Sequence, residues 1–246
     1  RCFVPCENAD EAALVNDISV YPVSSVSQLV DFFNGKIKIE PRIVDIEAFF
    51  NNKEQETNDF ADVKGQENVP KDIPVLYVAN HNSYFDIMIT YALCPDLTGY
   101  IAKDSLEKVP LLNIWMKRLY CLFLKRDDMK ASLKTILQAI EYVKKGISIC
   151  IFPEGTRGDS DEMAPFKEGS MKIAEKTGCP IVPMAISHTR DIIKDHMPFV
   201  KPTHVTVEYG APIYPKELAK EERRALGRLS QNMIQEMLDA QKASEQ

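Results

Sequence analysis

The chain has 246 residues, 45% of them apolar and 27% charged, which is the composition of a folded protein with a core rather than of a disordered one. Its formal charge of −6 argues against a nucleic-acid binder, and the acidity is local: residues 1–70 hold thirteen acids against six bases, residues 71–246 twenty-three against twenty-four. No run of about 18 apolar residues occurs, so no segment is expected to span a bilayer and any membrane contact is expected to be peripheral.

In chain order, residues 20–23 read as a short strand, 27–33 as a helix ended by Asn34-Gly35, and 36–39 as a second strand. The stretch NNKEQETND at 51–59 is polar and turn-rich, the mark of a linker. It sets the expected division into an N-terminal fragment with its linker, 1–58, and a main domain, 59–246. Beyond it come a strand at 75–79 (VLYVA), a helix at about 83–93, and a long helix at about 129–145. The long helix carries Leu133, Ile136, Leu137, Ile140 and Val143 at helical spacing, with Gly146 placed to cap it. A strand follows at 147–152, then a helix at about 167–177 closed by Gly178, and strands at 181–186 and 205–209. Helices alternating with β-branched strands predict an α/β layered domain with a largely buried sheet, whose sites lie in loops at the strand C-termini. The six cysteines form no CxxC pair, and four of them lie among apolar neighbours, which reads as reduced, buried, cytosolic thiols.

The strand at 75–79 runs into NHNSYFD at 80–86. If Ser83 caps the next helix, Asp86 takes its third position and can fold back toward His81. An Asp accepting from one imidazole nitrogen fixes the tautomer and makes the other nitrogen a better base for a hydroxyl. The alternative is a plain capping box, Ser83-x-x-Asp86, beside a loop histidine. The strand at 147–152 ends in FPEGTRG, whose proline and glycines predict a tight turn holding Glu154 and Arg157 near the backbone. Arg157 offers a planar fork of donors for a phosphate, and Lys167 is a second cation ten residues on. The alternative here is a surface Glu/Arg pair.

Together the two motifs resemble the glycerolipid acyltransferases, in particular the 1-acyl-glycerol-3-phosphate acyltransferase family. NHNSYFD matches the NHxxxxD block, FPEGTRG the phosphate-binding block, and IVPMAI at 181–186 a later block around a proline. CLFLKRDD at 121–128 matches the intermediate block through Arg126, although Lys125 stands where many members have an acid. PFKEGS at 165–170 fits as well. The resemblance spans about residues 60–246 and implies a mixed, largely buried sheet flanked by helices. It implies acyl transfer from acyl-CoA or acyl-carrier protein to lysophosphatidate in a ternary complex, with no metal, no cofactor and no covalent acyl-enzyme. His81 is then the base and Asp86 its support. Glu154, Gly155, Thr156 and Arg157 shape the phosphate site, with Arg126 and Lys167 as further cations. Another lysolipid as acceptor, and a non-catalytic lipid-phosphate binder, stay open.

Other chemistries lack their motifs: there is no GxSxG, HExxH or GxxxxGK[ST], and His188, His196 and His204 read as loop or surface residues. Residues 110–124 (PLLNIWMKRLYCLFL) have the mixture of a helix lying on a membrane, and residues 103–134 hold eight bases against four acids, which suits anionic lipid. Core packing explains the same leucines. With the lipid substrate that the resemblance implies, the expected location is peripheral, at the cytoplasmic face of a membrane. Residues 1 to about 69 do not resemble the hydrophobic helical lead of this family. They are similar instead to a fragment of the magnesium-chelatase-like, competence-associated ATPases, from the domain related to the Lon protease domain. That resemblance implies a small α/β fragment without a catalytic residue, joined somewhere in residues 60–70.

Overall fold

The computed structural model describes residues 2–13, 18–44, 61–125, 127–158, 163–193 and 200–244. The chain divides into two compact units, Arg1–Asp59 and Phe60–Gln246.

In the first unit, strands β1 (Cys2–Pro5) and β2 (Val20–Val23) pair in parallel. A short helix, α1 (Ala9–Ala12), lies between them in sequence, and α2 (Val26–Phe33) follows. Ser25 caps α2 by accepting from the Gln28 N–H, and the Phe3 ring meets Tyr21, Phe32 and Phe33. The strand expected at 36–39 is absent. Its Lys-Ile alternation finds no neighbouring strand among the described residues, and the chain reaches β2 at Arg42, which bonds the Val20 carbonyl in an isolated bridge. The linker expected at 51–59 lies outside the described residues.

The second unit is built on a seven-stranded sheet. Its strands are β3 (Ala61–Lys64), β4 (Leu76–Ala79), β5 (Thr98–Lys103), β6 (Leu122–Leu124), β7 (Ser148–Ile151), β8 (Ile181–Ser187) and β9 (Val205–Tyr209), in spatial order β3-β9-β8-β4-β7-β5-β6. From β8 to β6 every pairing is parallel, whereas β9 runs antiparallel to β8 and parallel to β3. The sheet is therefore mixed and α/β, as expected.

Because side chains alternate along a strand, the buried strands feed two apolar layers. Leu76, Val78, Ile149, Ile151 and Ile181 face one side. There they meet α5 (Met129–Lys144) through Ala139, Ile140 and Val143, α6 (Lys172–Thr177) through Ile173 and Ala174, and α8 (Leu226–Ser244) through Ile234 and Leu238. Tyr77, Ala79, Cys150, Val182, Met184 and Ile186 face the other side, with Ile87 and Leu93 of α3 (Phe85–Leu93) and Met116 of α4 (Leu112–Arg118). The remaining helix, α7 (Lys220–Arg223), is a single turn before α8.

Asp128 starts α5 by accepting from the Lys130 and Ala131 N–H groups, and Gly146 ends it at φ 86°, a conformation only glycine adopts without strain. The helix expected at 167–177 is in two parts, a 3₁₀ turn over Glu168–Met171 and then α6. Glu168 is drawn to the start of α8, where it accepts from the Gly227 and Arg228 N–H groups. The stretch 110–124 is not one helix. It breaks after Arg118, turns through Tyr120 at φ 57°, and becomes β6, which pairs with β5 at the sheet edge. All six cysteines are free thiols; Cys121, Cys150 and Cys179 are buried, while Cys6 is exposed.

Candidate active site

The two motifs leave the C-terminal ends of neighbouring parallel strands, β4 and β7, so the topology alone brings their loops together. On the first loop, His81 Nδ1 lies 2.8 Å from Asp86 Oδ2. The same oxygen accepts from the N–H groups of Asn82 and Ser83, each at 2.8 Å. The capping and the imidazole-supporting roles of Asp86 thus coexist in one fully buried carboxylate. The helix begins two residues later than expected, at Phe85; Tyr84 already has helical angles, and Ser83 Oγ accepts from the Phe85 N–H. A carboxylate only accepts, so Nδ1 is the donor of this pair, and in the neutral imidazole Nε2 is then the nitrogen with the lone pair. The imidazole stacks on Phe152, with ring centroids 4.3 Å apart, which fixes the ring plane as Asp86 fixes its rotation.

On the second loop, Phe152-Pro153-Glu154-Gly155 forms a tight turn closed by the Gly155 N–H on the Phe152 carbonyl, with Gly155 at φ 83°. Arg157 leaves this turn and lays its guanidinium over the Tyr84 ring, with Cζ 3.8 Å from the centroid. The Gly158 N–H donates to the His81 carbonyl at 2.9 Å. Glu154 faces inward: Oε1 accepts from the His81 N–H at 2.7 Å and Oε2 from the Ala164 N–H at 2.9 Å. Burial pushes its carboxyl above the usual range, against the pull of those two N–H groups.

His81, Arg157, Gly155 and Thr156 line one cavity of about 250 Å³, whose apolar wall includes Ile87, Ile101 and Leu106. Lys167 lines an adjoining recess of about 150 Å³ that shares Phe152 and Gly155 with the first. Glu154 stands behind these walls, holding backbone. Arg126 lies outside the described residues. Of the other histidines, His188 is near Asp191 at 3.4 Å and His204 pairs with Asp62 at 2.9 Å; His196 lies outside the described residues. No group of three or more His, Cys, Asp or Glu side chains among the described residues is placed to hold a metal ion.

Three contributors were not singled out from the sequence. Phe152 and Tyr84 were visible as letters of the two motifs, but nothing in their spacing showed that one would carry the imidazole and the other the guanidinium. Thr189, whose hydroxyl donates to Asp86 Oδ1, is 103 positions away and carried no signal.

A sequence model of the acyltransferase family matches residues 61–187, which contain both loops. The chain is 31% identical over 180 residues to the 1-acyl-sn-glycerol-3-phosphate acyltransferase of Borreliella burgdorferi, covering 72% of this chain and 71% of that protein. It is 37% identical over 133 residues to the chloroplastic 1-acyl-sn-glycerol-3-phosphate acyltransferase of Brassica napus, covering 54% of this chain and 38% of that protein. The chain thus spans well under half the length of the Brassica relative. Among solved structures, the 1-acyl-sn-glycerophosphate acyltransferase PlsC of Thermotoga maritima superposes with a TM-score of 0.65 at 32% identity, covering 74% of this chain and 72% of that one.

Proposed function

Because this chain belongs to the acyltransferase family, we propose that it moves a fatty acyl group from acyl-CoA or acyl-carrier protein onto the free hydroxyl of 1-acyl-glycerol-3-phosphate, giving phosphatidate. The observation that carries this reading is the pairing of an Asp86-held imidazole with a guanidinium in one cavity. In the proposed reaction His81 Nε2 takes the hydroxyl proton as the oxygen attacks the thioester carbonyl. The tetrahedral intermediate collapses by breaking the carbon–sulfur bond, and the imidazolium returns the proton to the leaving thiolate. No covalent acyl-enzyme is needed. Arg157, spread on Tyr84, presents its fork to the acceptor phosphate, with Lys167 of the adjoining recess as a second cation; Arg126, outside the described residues, is a further cation on the strength of the resemblance alone.

Contact with the membrane is peripheral in this reading, at its cytoplasmic face. No helix among the described residues is long and apolar enough to cross a membrane. Leu111 at 80% exposure and Trp115 at 55% project from the α4 region, next to Lys117 and Arg118. The Trp115 ring is 6.3 Å from Tyr91 of α3, whose Met88 is also exposed. Residues 1–58 are read as a fragment similar to the N-terminal domain of the chelatase-like ATPases, and no residue of theirs is assigned a part in this reaction.

The test offers purified protein in detergent an acyl-CoA or acyl-carrier protein and a panel of lysolipids, with products weighed by mass spectrometry. Phosphatidate from 1-acyl-glycerol-3-phosphate is expected. Product from a different lysolipid alone would move the acceptor assignment, and binding without any product would leave a lipid-phosphate binder.

A further inference from the structure

We infer that Thr189 is a positioning residue for this reaction, holding the Asp86 carboxylate in the plane from which it orients His81; the inference rests on the reading of His81 as the base. Asp86 is fully buried. Its Oδ2 collects three donors, His81 Nδ1 and the N–H groups of Asn82 and Ser83, all from one turn of chain. Those donors all bind Oδ2 and leave Oδ1 without a partner from this turn. The Thr189 hydroxyl, from a segment 103 positions away, donates to Oδ1, and because both oxygens swing together about the Cβ–Cγ bond, this second anchor stiffens the rotation that the donors to Oδ2 restrain. Without that donor, a buried carboxylate oxygen would stand unpaired, and the group would rotate in search of a partner. His81 would then lose the alignment of Nε2 with the cavity.

The chain is built to deliver Thr189 to this point. Asn80, the first residue of the NHNSYFD turn, clamps β8 with two hydrogen bonds of 2.8 Å: its Nδ2 donates to the Ile186 carbonyl, and the Ile186 N–H donates to its Oδ1. Ala79 lies opposite Met184 in the parallel register, so β8 ends level with the His81 loop. His188 then takes φ 63°, a conformation rare for a side-chain-bearing residue. It turns the chain into a 3₁₀ segment, Thr189–Ile192, closed by the Asp191 N–H on the His188 carbonyl. Thr189 is itself fully buried, and Ile192 packs into the apolar layer beneath. The hydroxyl is therefore placed by the sheet and not by substrate.

The experiment measures kcat and both KM values on the full chain in detergent for wild type, Thr189→Val, Thr189→Ser, Asp86→Asn and the double variant Asp86→Asn/Thr189→Val. Loss of a hydrogen bond to a charged group should lower kcat of Thr189→Val about 10- to 100-fold, with both KM values nearly unchanged. Thr189→Ser should restore most of kcat, and the double variant should be no slower than Asp86→Asn alone. A Thr189→Val enzyme at wild-type kcat, a serine variant as slow as the valine one, or a fall that multiplies in the Asp86→Asn background would overturn the inference. Should Thr189→Val not fold, Thr189→Ala takes its place beside the serine variant. Wild-type protein with no acyl transfer would sink the functional reading, and the inference would then stand or fall on the His81 Nδ1 proton seen by NMR without substrate. That proton should be far downfield in wild type and Thr189→Ser and displaced or lost in Thr189→Val; an unchanged resonance would overturn it.

Discussion

The backbone N–H of His81 donates to Glu154 Oε1 at 2.7 Å, so the acid of the second motif holds the turn that carries the imidazole of the first. Its other oxygen holds Ala164. A glutamine at 154 keeps one acceptor but sets an NH₂ against the second backbone donor. Glu154→Gln should destabilise the fold by about 1–3 kcal/mol, the cost of leaving a buried donor unpaired. It should also lower kcat about tenfold or more, through a loosened His81 turn. Thermal unfolding and steady-state kinetics on the same preparation check both; a variant as stable and as fast as wild type would show that Glu154 holds nothing.

The same residue gives stability a pH signature. Burial raises the Glu154 carboxyl above its ordinary value, which is about 4.3 for an unfolded chain. The folded state therefore takes up the proton at a higher pH than the unfolded state does. The penalty for ionising Glu154 is fully present above the folded value, shrinks as pH falls, and is gone below the unfolded value. Relative to Glu154→Gln, the wild type should gain stability on acidification through that window, as read by denaturant unfolding at a series of pH values. A difference independent of pH would contradict the buried-carboxylate account.

His81 and Arg157 line one cavity but are asked for different work. His81→Ala should abolish turnover while leaving the fold and lysolipid binding nearly intact, since in the proposed reaction the ring moves a proton and does not hold substrate. Arg157→Ala should raise the acceptor KM strongly. Tyr84→Ala should share part of that KM defect, because the guanidinium rests 3.8 Å above the ring, whereas Tyr84→Phe keeps the face and should be silent. Retention of a tenth of the activity in His81→Ala would remove the base assignment.

The parts of the site that could be read beforehand are those that chain-local rules control. His81 and Asp86 meet across five positions, and the two loops meet because they leave neighbouring parallel strands. Thr189 was hidden because its place depends on the β4–β8 register and on the left-handed turn at His188, neither of which a spacing pattern encodes. β6 was absorbed into a membrane-helix reading because three apolar residues fit a strand edge as well as a helix. Helix α8 went unread although Leu226, Ser230, Ile234 and Leu238 are buried at helical spacing. One of the four is a serine, satisfied by the Leu226 carbonyl, and this weakens the apolar stripe.

Leu111, Ile114 and Trp115 are all more than half exposed, which makes a membrane-docking role testable without harm to the core. Burying each such side chain contributes about 1.5–3 kcal/mol. Leu111→Ser with Trp115→Ser should therefore weaken binding to anionic-lipid vesicles by about a hundredfold or more, with thermal stability and turnover of detergent-dispersed substrate preserved. Unchanged vesicle sedimentation would assign this surface another role.

Removing residues 1–58 should leave the remaining protein folded and active. Among the described residues, both apolar layers of the sheet are made from residues at or beyond Val63. β3 must be kept, since Ala61–Lys64 pairs along the whole of its length with Val205–Glu208 of β9, and a cut at residue 58 spares it. The positions assigned to the reaction, from His81 to Thr189, are all retained. The truncated and full chains are to be compared by thermal unfolding and by acyl transfer in detergent, with unfolding temperatures expected to agree within a few degrees and kcat within about twofold. Aggregation of the truncated chain with normal turnover in its soluble fraction would mean that the N-terminal residues shield apolar surface. A truncated protein that is folded and soluble but inactive would place part of the machinery in residues 1–58 and overturn their reading as a fragment without a catalytic residue.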